Sequence, residues 1–230
     1  MKCYIKDYPR PQFMRTDWEN LNGTWDFGFD DENAGEKEKW YQEFKGDKKI
    51  NVPFTYETKL SGIQDETRHD FIWYHRTINV DGVKLENNLY ILHFEGSDFI
   101  TKVWVNGAYA GSHRGGYARC SFDVTNLVHD GENELTVKVE DSFDTQQPRG
   151  KQRWINENFG CWYVQTTGIW KTVWSEYVPK ISLASVKMTP DLQNAALKLE
   201  YEVAAAEKDL DDDLMITATV SFRGTTVAKQ

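Results

Sequence analysis

The residues best suited to ligand chemistry lie in one polar and aromatic stretch, DSFDTQQPRGKQRWINENFGCWYVQTTGIW, at positions 141–170. Amide, carboxylate and guanidinium groups hold sugar hydroxyls, while an aromatic ring packs against the C–H face of a pyranose. The stretch therefore predicts a carbohydrate site. Its candidate polar residues are Asp144, Gln147, Arg149, Lys151 and Gln152, and its aromatic ones are Trp154, Trp162 and Tyr163. The alternative is a loop whose aromatic residues are buried against its own scaffold or a neighbouring domain.

Other reactive side chains do not form a recognisable catalytic set. Hydrolysis of a glycoside needs two carboxyl groups about 5 to 10 Å apart. Glu134 and Glu157 each follow an asparagine, but one opens an alternating strand and the other lies in a polar loop, so we interpret both as structural. No G-x-S-x-G turn and no CxxC pair occurs. We expect no catalytic residue, no metal site and no cofactor in these residues.

Composition narrows the range of partners and compartments. The 230 residues carry 27 basic and 36 acidic side chains, a formal charge of −9, which disfavours nucleic acid and anionic membranes. The three cysteines are an odd number, and this favours a reducing compartment. The N-terminal MKCYIKDYPRPQF has no apolar run of signal-peptide length, so we expect a cytoplasmic protein. The sequence leaves open whether it forms a homo-oligomer.

Short strands and turns dominate the elements that must position the polar stretch, which predicts an all-β protein. In LTVKVE, Leu135, Val137 and Val139 alternate with Thr136, Lys138 and Glu140, which predicts one buried and one solvent-facing side. Asn106-Gly107 predicts a two-residue hairpin, and residues 36–44 predict a short helix. The predicted strands are 24–29, 73–80, 89–95, 101–105, 118–124, 134–140 and 168–178.

The composition changes near residue 180, because no tryptophan follows Trp174 and plain alternating strands take over: ISLASVKMT, ALKLEYEVA and LMITATVSF. We therefore predict one domain at 1–179 and a second at 180–230. Three strands amount to roughly half of an immunoglobulin-like sandwich of about 100 residues. We expect the natural protein to continue beyond Gln230, since half a sandwich leaves an open sheet edge.

In order and spacing, several motifs together resemble the N-terminal region of the family 2 glycoside hydrolases, which include β-galactosidases, β-glucuronidases and β-mannosidases. The resemblance covers nearly the whole chain. Its motifs are YPRPQF, WENLNGTWDFGFD, VPF, IWYHRTINV, LHFEGSDFITKVWVNGAYAGSHRGGYARCSFDVT, GENELTVKVED and TTGIWKTVW. QPRGKQ resembles a run found in a subgroup of bacterial members.

This resemblance implies a jelly-roll sugar-binding domain over 1–179, the start of an immunoglobulin-like sandwich, and a catalytic TIM barrel outside these residues. The barrel carries both catalytic glutamates and any magnesium or sodium. The chain would then be the inactive front part of a retaining exo-glycosidase for terminal β-linked sugars, with a β-galactosidase-like activity favoured.

The resemblance also bears on the candidate site. In some members the segment before the TTGIW-like strand shapes the sugar pocket, sometimes through an acid; here Gly160 and Cys161 occupy that neighbourhood. Asp144, Gln147, Arg149, Lys151, Gln152, Trp162 and Tyr163 form the predicted pocket rim. Two alternatives remain open: a stand-alone lectin-like module and a purely structural domain.

Overall fold

A computed structural model describes residues 7–143, 146–205 and 214–230. They form two compact units, the first ending at Pro179 and the second beginning at Lys180. The first unit contains a 3-10 turn (Lys59–Ser61), one short helix α1 (Gly82–Leu85) and twelve strands. The strands are β1 (Trp18–Asn20), β2 (Gly23–Phe29), β3 (Lys48–Val52), β4 (Phe71–Val80), β5 (Asn88–Phe94), β6 (Ser97–Asp98), β7 (Ile100–Val105), β8 (Ala108–Arg114), β9 (Cys120–Asp123), β10 (Gly131–Glu140), β11 (Gly168–Ile169) and β12 (Val173–Pro179).

The first unit is a β-sandwich. Its four-stranded sheet has the order β1-β12-β5-β9, and its six-stranded sheet has the order β3-β2-β4-β10-β7-β8. All pairs are antiparallel. One apolar core takes buried side chains from both sheets, among them Trp25, Tyr74, Leu92, Phe94 and Val137. The β-sandwich class predicted from the sequence is confirmed.

Strand β10 follows its predicted alternation on the inner face but not on the outer face. Leu135, Val137 and Val139 are fully buried. The sequence predicts that Thr136 and Lys138 face solvent, yet they are only 2% and 3% exposed. The ammonium of Lys138 donates to Asn33 Oδ1 at 2.6 Å and to Glu36 Oε1 at 2.8 Å. The loop between β2 and β3 thus covers the outer face and compensates the buried charge.

The prediction of a helix over residues 36–44 is wrong, because these residues form turns. Their aromatic side chains pack on the outer face of the six-stranded sheet. Tyr41 stacks on Trp104 with ring centroids 5.3 Å apart, and Trp40 lies 5.9 Å from Trp73. A helix this short is marginal in water, so burial of the aromatic rings decides the local conformation.

The predicted hairpin at Asn106-Gly107 is confirmed. Both residues have positive φ, 51° and 77°, as a type I′ turn requires, and they join β7 to β8. The strand predicted over 168–178 is instead two strands. The first, β11, pairs with β6, and the second, β12, pairs with β5 and β1.

The described residues of the second unit, 180–205 and 214–230, form two antiparallel hairpins. The first joins β13 (Ser182–Asp191) to β14 (Ala196–Ala204), and the second joins β15 (Thr219–Phe222) to β16 (Thr225–Lys229). The first two strands match their predictions, whereas the third predicted strand, 214–222, is extended only over its last four residues. Within the described parts of the chain, no helix is long and apolar enough to cross a membrane.

Candidate carbohydrate-binding site

The polar stretch between β10 and β11 folds back on itself as two adjacent arms. Tyr163 N donates to Lys151 O at 2.8 Å, and Arg153 N donates to Tyr163 O at 2.7 Å. Near the tip, Phe159 and Trp162 form a second bridge. Because neighbouring residues of an extended arm point to opposite sides, Gln152 and Arg153 reach different parts of the scaffold.

Arg153 anchors the stretch to the sandwich, a role that the sequence analysis did not assign. Its side chain is buried, and its guanidinium donates to Gln165 Oε1 at 2.9 Å. It also donates to the backbone oxygen of Glu66 at 2.6 Å and to Asn158 Oδ1 at 3.2 Å. The hydrogen bond to Glu66 ties the arm to the loop that precedes β4, and the other two hold the stretch together internally.

On the opposite side, the stretch closes a cavity of about 280 Å³ against the sandwich. We call it the Tyr163 cavity. Its lining residues are Asp98, Tyr117, Arg149, Lys151, Gln152, Tyr163, Val164, Thr166 and Trp170. The volume lies just below the range of about 300–1,000 Å³ usual for small-molecule pockets, so one sugar ring fits better than a longer chain.

Three aromatic side chains give the cavity its apolar surface. Tyr117 and Trp170 meet edge to face with centroids 6.1 Å apart, and the Trp170 indole N–H donates to Gly116 O at 2.8 Å. Tyr163 stands 60% exposed on the other side. A fixed indole beside an exposed phenol ring offers the flat faces on which a pyranose packs.

The side chain of Gln152 joins both walls of the cavity. Its Oε1 accepts from Thr166 N at 2.7 Å, and its Nε2 donates to Asp98 Oδ2 at 2.9 Å. The other oxygen of Asp98 is buried and has no hydrogen-bond partner among the described residues. Gln152 therefore orients the wall. The other polar side chains in the lining are those of Tyr117, Tyr163 and Thr166 and the two cations, Arg149 and Lys151.

Buried acids lie beneath this wall. Burial raises the pKa of Asp98, and it raises the pKa of Asp141 to about 7, with the charge of Asp98 adding to the effect and Arg149 opposing it. Arg149 Nη1 lies 3.7 Å from Asp141 Oδ1 and also donates to the backbone oxygen of Ser142. Arg149 thus compensates Asp141 while lining the cavity.

The structure brings together Arg149, Lys151, Gln152 and Tyr163 among the predicted rim residues. Gln147 lies below the cavity instead, donating to Asp141 Oδ1 at 2.5 Å. Trp162 packs against Trp154 with centroids 4.6 Å apart and does not line the cavity. Asp144 lies outside the described residues.

Sequence reasoning missed Asp98, Tyr117, Thr166 and Trp170. They come from β6, the β8–β9 connection and both ends of β11, which meet only when β6 pairs with β11.

A second cavity, of about 580 Å³, lies beside Arg153. Its lining residues are Glu66, Thr67, Arg68, Arg153 and Asn156, without an aromatic ring. Both arginines already bond to the protein: Arg68 pairs with Asp70, and Arg153 has the partners given above. The Tyr163 cavity is therefore the better candidate for a sugar, because it combines polar groups with flat apolar faces.

Comparison with protein families gives one match that spans most of the sandwich. Residues 18–175 match the model described as glycosyl hydrolases family 2, sugar binding domain. A putative beta-glucuronidase of Formosa agariphila is 32% identical over 142 residues, 61% of this chain and 16% of the relative. A beta-galactosidase of Thermoanaerobacter pseudethanolicus is 26% identical over 219 residues, 92% of this chain and 27% of the relative. The chain thus spans about a quarter or less of these relatives.

Solved structures show the same fold. The beta-glucuronidase of Ruminococcus gnavus superposes with a TM-score of 0.73 at 18% identity, covering 95% of this chain and 38% of that one. An uncultured Clostridium beta-glucuronidase gives 0.71 at 22% identity, covering 93% and 37%. At these identities the likeness is one of fold.

Proposed function

The chain belongs to the sugar-binding domains of glycosyl hydrolase family 2, and we propose that it is the non-catalytic front part of a retaining exo-glycosidase for terminal β-linked sugars. Its partners would be the carbohydrate substrate and a catalytic barrel in the same polypeptide. Residues up to Pro179 would bind sugar, and those from Lys180 would begin an immunoglobulin-like domain. The exposed free thiol of Cys161 suits a reducing, cytoplasmic compartment.

The Tyr163 cavity is the observation that carries the sugar-binding part of this proposal. It places two cations, three hydroxyl groups and three aromatic rings around a space that fits one pyranose. Seven of its nine lining residues lie in the stretch at 141–170, and four of these, Arg149, Lys151, Gln152 and Tyr163, are candidates that the sequence analysis named.

The charge arrangement supports a binding role without chemistry. Retaining hydrolysis uses two carboxyl groups about 5 Å apart, one as nucleophile and one as acid and base. Among the described residues that line the cavity, Asp98 is the only acid, and its carboxylate is held by Gln152. The two catalytic carboxylates would then come from the barrel.

The proposal predicts that the 230-residue chain binds sugars but does not hydrolyse them. We would assay it with nitrophenyl β-galactoside, β-glucuronide and β-mannoside, and we expect no nitrophenol above the uncatalysed rate. A nitrophenol-releasing activity that elutes together with the chain throughout purification would overturn the non-catalytic role. The β-galactosidase-like activity stays a prediction, and the encoding frame beyond the codon for Gln230 tests the barrel directly: a stop codon there would favour the lectin-like module.

A further inference from the structure

Positive charge gathers at the Tyr163 cavity although the chain as a whole carries −9. Arg149 and Lys151 line it, and the ammonium of Lys171 lies 4.5 Å from the ring centroid of Trp170, which forms part of its wall. The only acid in the described lining, Asp98, is 3% exposed. The charge that a ligand meets at the mouth is therefore positive.

The two cationic side chains that line the cavity, Arg149 and Lys151, differ in how far they are already bonded to the protein. The guanidinium of Arg149 is buried, lies near Asp141 and donates to Ser142. Lys151 is exposed, and no acid of the described ranges lies within ion-pair distance of its ammonium. Its neighbour across the two arms is Tyr163, whose N–H bonds to Lys151 O. Lys151 thus lines the cavity next to the exposed ring of Tyr163.

We propose that the Tyr163 cavity selects a sugar with an anionic substituent, a carboxylate or a sulfate ester, and that Lys151 pairs with this group. The selectivity presupposes the sugar binding proposed above. With the ring packed on the aromatic wall, an anion projecting toward the mouth receives a charge-assisted hydrogen bond from the ammonium. A neutral hydroxymethyl group leaves the Lys151 ammonium hydrated, so Lys151 neither raises nor lowers the binding free energy through its charge.

The expected preference for the anionic sugar is about tenfold, in line with one charge-assisted hydrogen bond at a partly exposed site. It should shrink as salt is raised, because screening acts over about 8 Å at physiological ionic strength. The proposal concerns the charge of the sugar and not the stereochemistry of its ring. An anionic galactose derivative and a glucuronide would therefore both present an anion to Lys151 at the mouth of the Tyr163 cavity.

The test compares methyl β-glucuronide, methyl β-glucoside, methyl β-galactoside and glucose 6-sulfate, titrated into the 230-residue chain and followed by ligand-detected NMR. Glucuronide and glucoside differ only in a carboxylate replacing the hydroxymethyl group. Lys151→Gln removes the charge at nearly constant length. Lys37→Gln is the matched control, since Lys37 is also exposed and lies outside the cavity.

We expect the chain and its Lys37→Gln variant to prefer at least one anionic sugar about tenfold over the neutral ones. Lys151→Gln should bring this preference below about twofold, whereas Lys37→Gln should leave both the preference and the affinity for glucoside unchanged. Selectivity for glucose 6-sulfate alone would identify the ligand as a sulfate ester, and selectivity for glucuronide alone as a uronate. Equal binding of charged and neutral sugars, or a preference that survives in Lys151→Gln, overturns this inference but keeps the sugar site. If none of the sugars binds, both the selectivity for anionic sugars and the proposed sugar site are contradicted.

Discussion

Gln152 donates its side-chain amide to the buried carboxylate of Asp98 at 2.9 Å, and this one contact joins the polar stretch to the sandwich behind the Tyr163 cavity. The same amide accepts from Thr166 N at 2.7 Å, so both of its polar atoms are engaged. Asp98 comes from β6, while Gln152 lies 54 residues further along the chain. The shape of the cavity therefore depends on a hydrogen bond between two distant segments.

Replacing Gln152 with methionine should lower the free energy of unfolding by about 2 kcal/mol, because it leaves a buried carboxylate and a backbone N–H without their partner. The side-chain volume hardly changes, which limits the effect to the lost hydrogen bonds. Chemical denaturation of the chain measures the loss. Gln12→Met is the control, since Gln12 is exposed and should change stability by less than about 0.5 kcal/mol. Equal stability of the two variants would contradict the role given to Gln152.

Asp141 should make the chain lose stability as the pH rises from about 4 to 7. Its carboxyl is buried, with a pKa of about 7 in the folded chain and about 4 in the unfolded chain. Between these values the folded state holds a proton that the unfolded state has released. Stability is therefore fully present below pH 4, falls by roughly 1 kcal/mol per pH unit, and levels off above pH 7.

Asp141→Asn replaces the titrating carboxyl with an amide and keeps an oxygen that accepts a hydrogen bond from Gln147. We expect a shallower decline between pH 4 and 7, with part of it remaining because burial also raises the pKa of Glu57 to about 7. Thermal unfolding measured at pH 5 and pH 8 checks this. The exposed Glu132→Gln variant should keep the wild-type slope. An unchanged slope in Asp141→Asn would show that Asp141 is ionised throughout.

Gly168 and Gly131 allow backbone strain to be separated from steric clash. Both have positive φ, +88° and +86°, so an alanine at either position is strained. A Cβ at Gly168 would lie 2.2 Å from the hydroxyl of Tyr74 and 2.7 Å from Ile72 Cδ1, whereas nothing lies within 4 Å at Gly131. Gly131→Ala should cost about 1 kcal/mol.

Gly168→Ala should cost a further 1–3 kcal/mol or so, because Tyr74 and Ile72 belong to the packed core. The clash would displace β11 and with it the pairing to β6 that brings Asp98 to the cavity. Melting temperatures of both variants give the comparison. Equal losses in the two would mean that the core beside Gly168 yields without cost.

Sequence alone was sufficient for the parts of the fold set by local rules. Alternation identified the inner face of β10, and the positive φ required at Asn106-Gly107 identified the hairpin between β7 and β8. The outer face of β10 was assigned wrongly because Lys138 is covered by a loop about 100 residues earlier in the chain. Alternation reports which residues share a side, but it does not reveal what will cover that side.

The candidate site divides in the same way. Composition and the QPRGKQ run pointed to Arg149, Lys151, Gln152 and Tyr163, because sugar recognition needs their chemical types. The opposite wall could not be found from the sequence. Asp98 and Tyr117, which lie outside the stretch, meet Trp170 at its end through pairing between β6 and β11, two strands of two residues each that carry no periodic signal.

Tyr163 should contribute to sugar affinity through its exposed ring. Truncation by Tyr163→Ala removes one flat wall of the cavity, and we expect the dissociation constant for a bound sugar to rise about tenfold. Tyr201→Ala is the control, because Tyr201 is also partly exposed but lies in the second unit. Ligand-detected NMR titration measures both variants. If the two bind sugar equally well, Tyr163 does not contact it.

Amide chemical-shift mapping of the 230-residue chain during titration with methyl β-glucuronide and methyl β-galactoside locates the bound sugar, and so shows whether the Tyr163 cavity holds it. We expect the shifts to concentrate at residues 149–152 and 163–166 and at the indole N–H of Trp170. Shifts confined to residues beyond Pro179 or to the second cavity, beside Arg153, would contradict sugar binding in the Tyr163 cavity, as would the lack of any shift with either sugar.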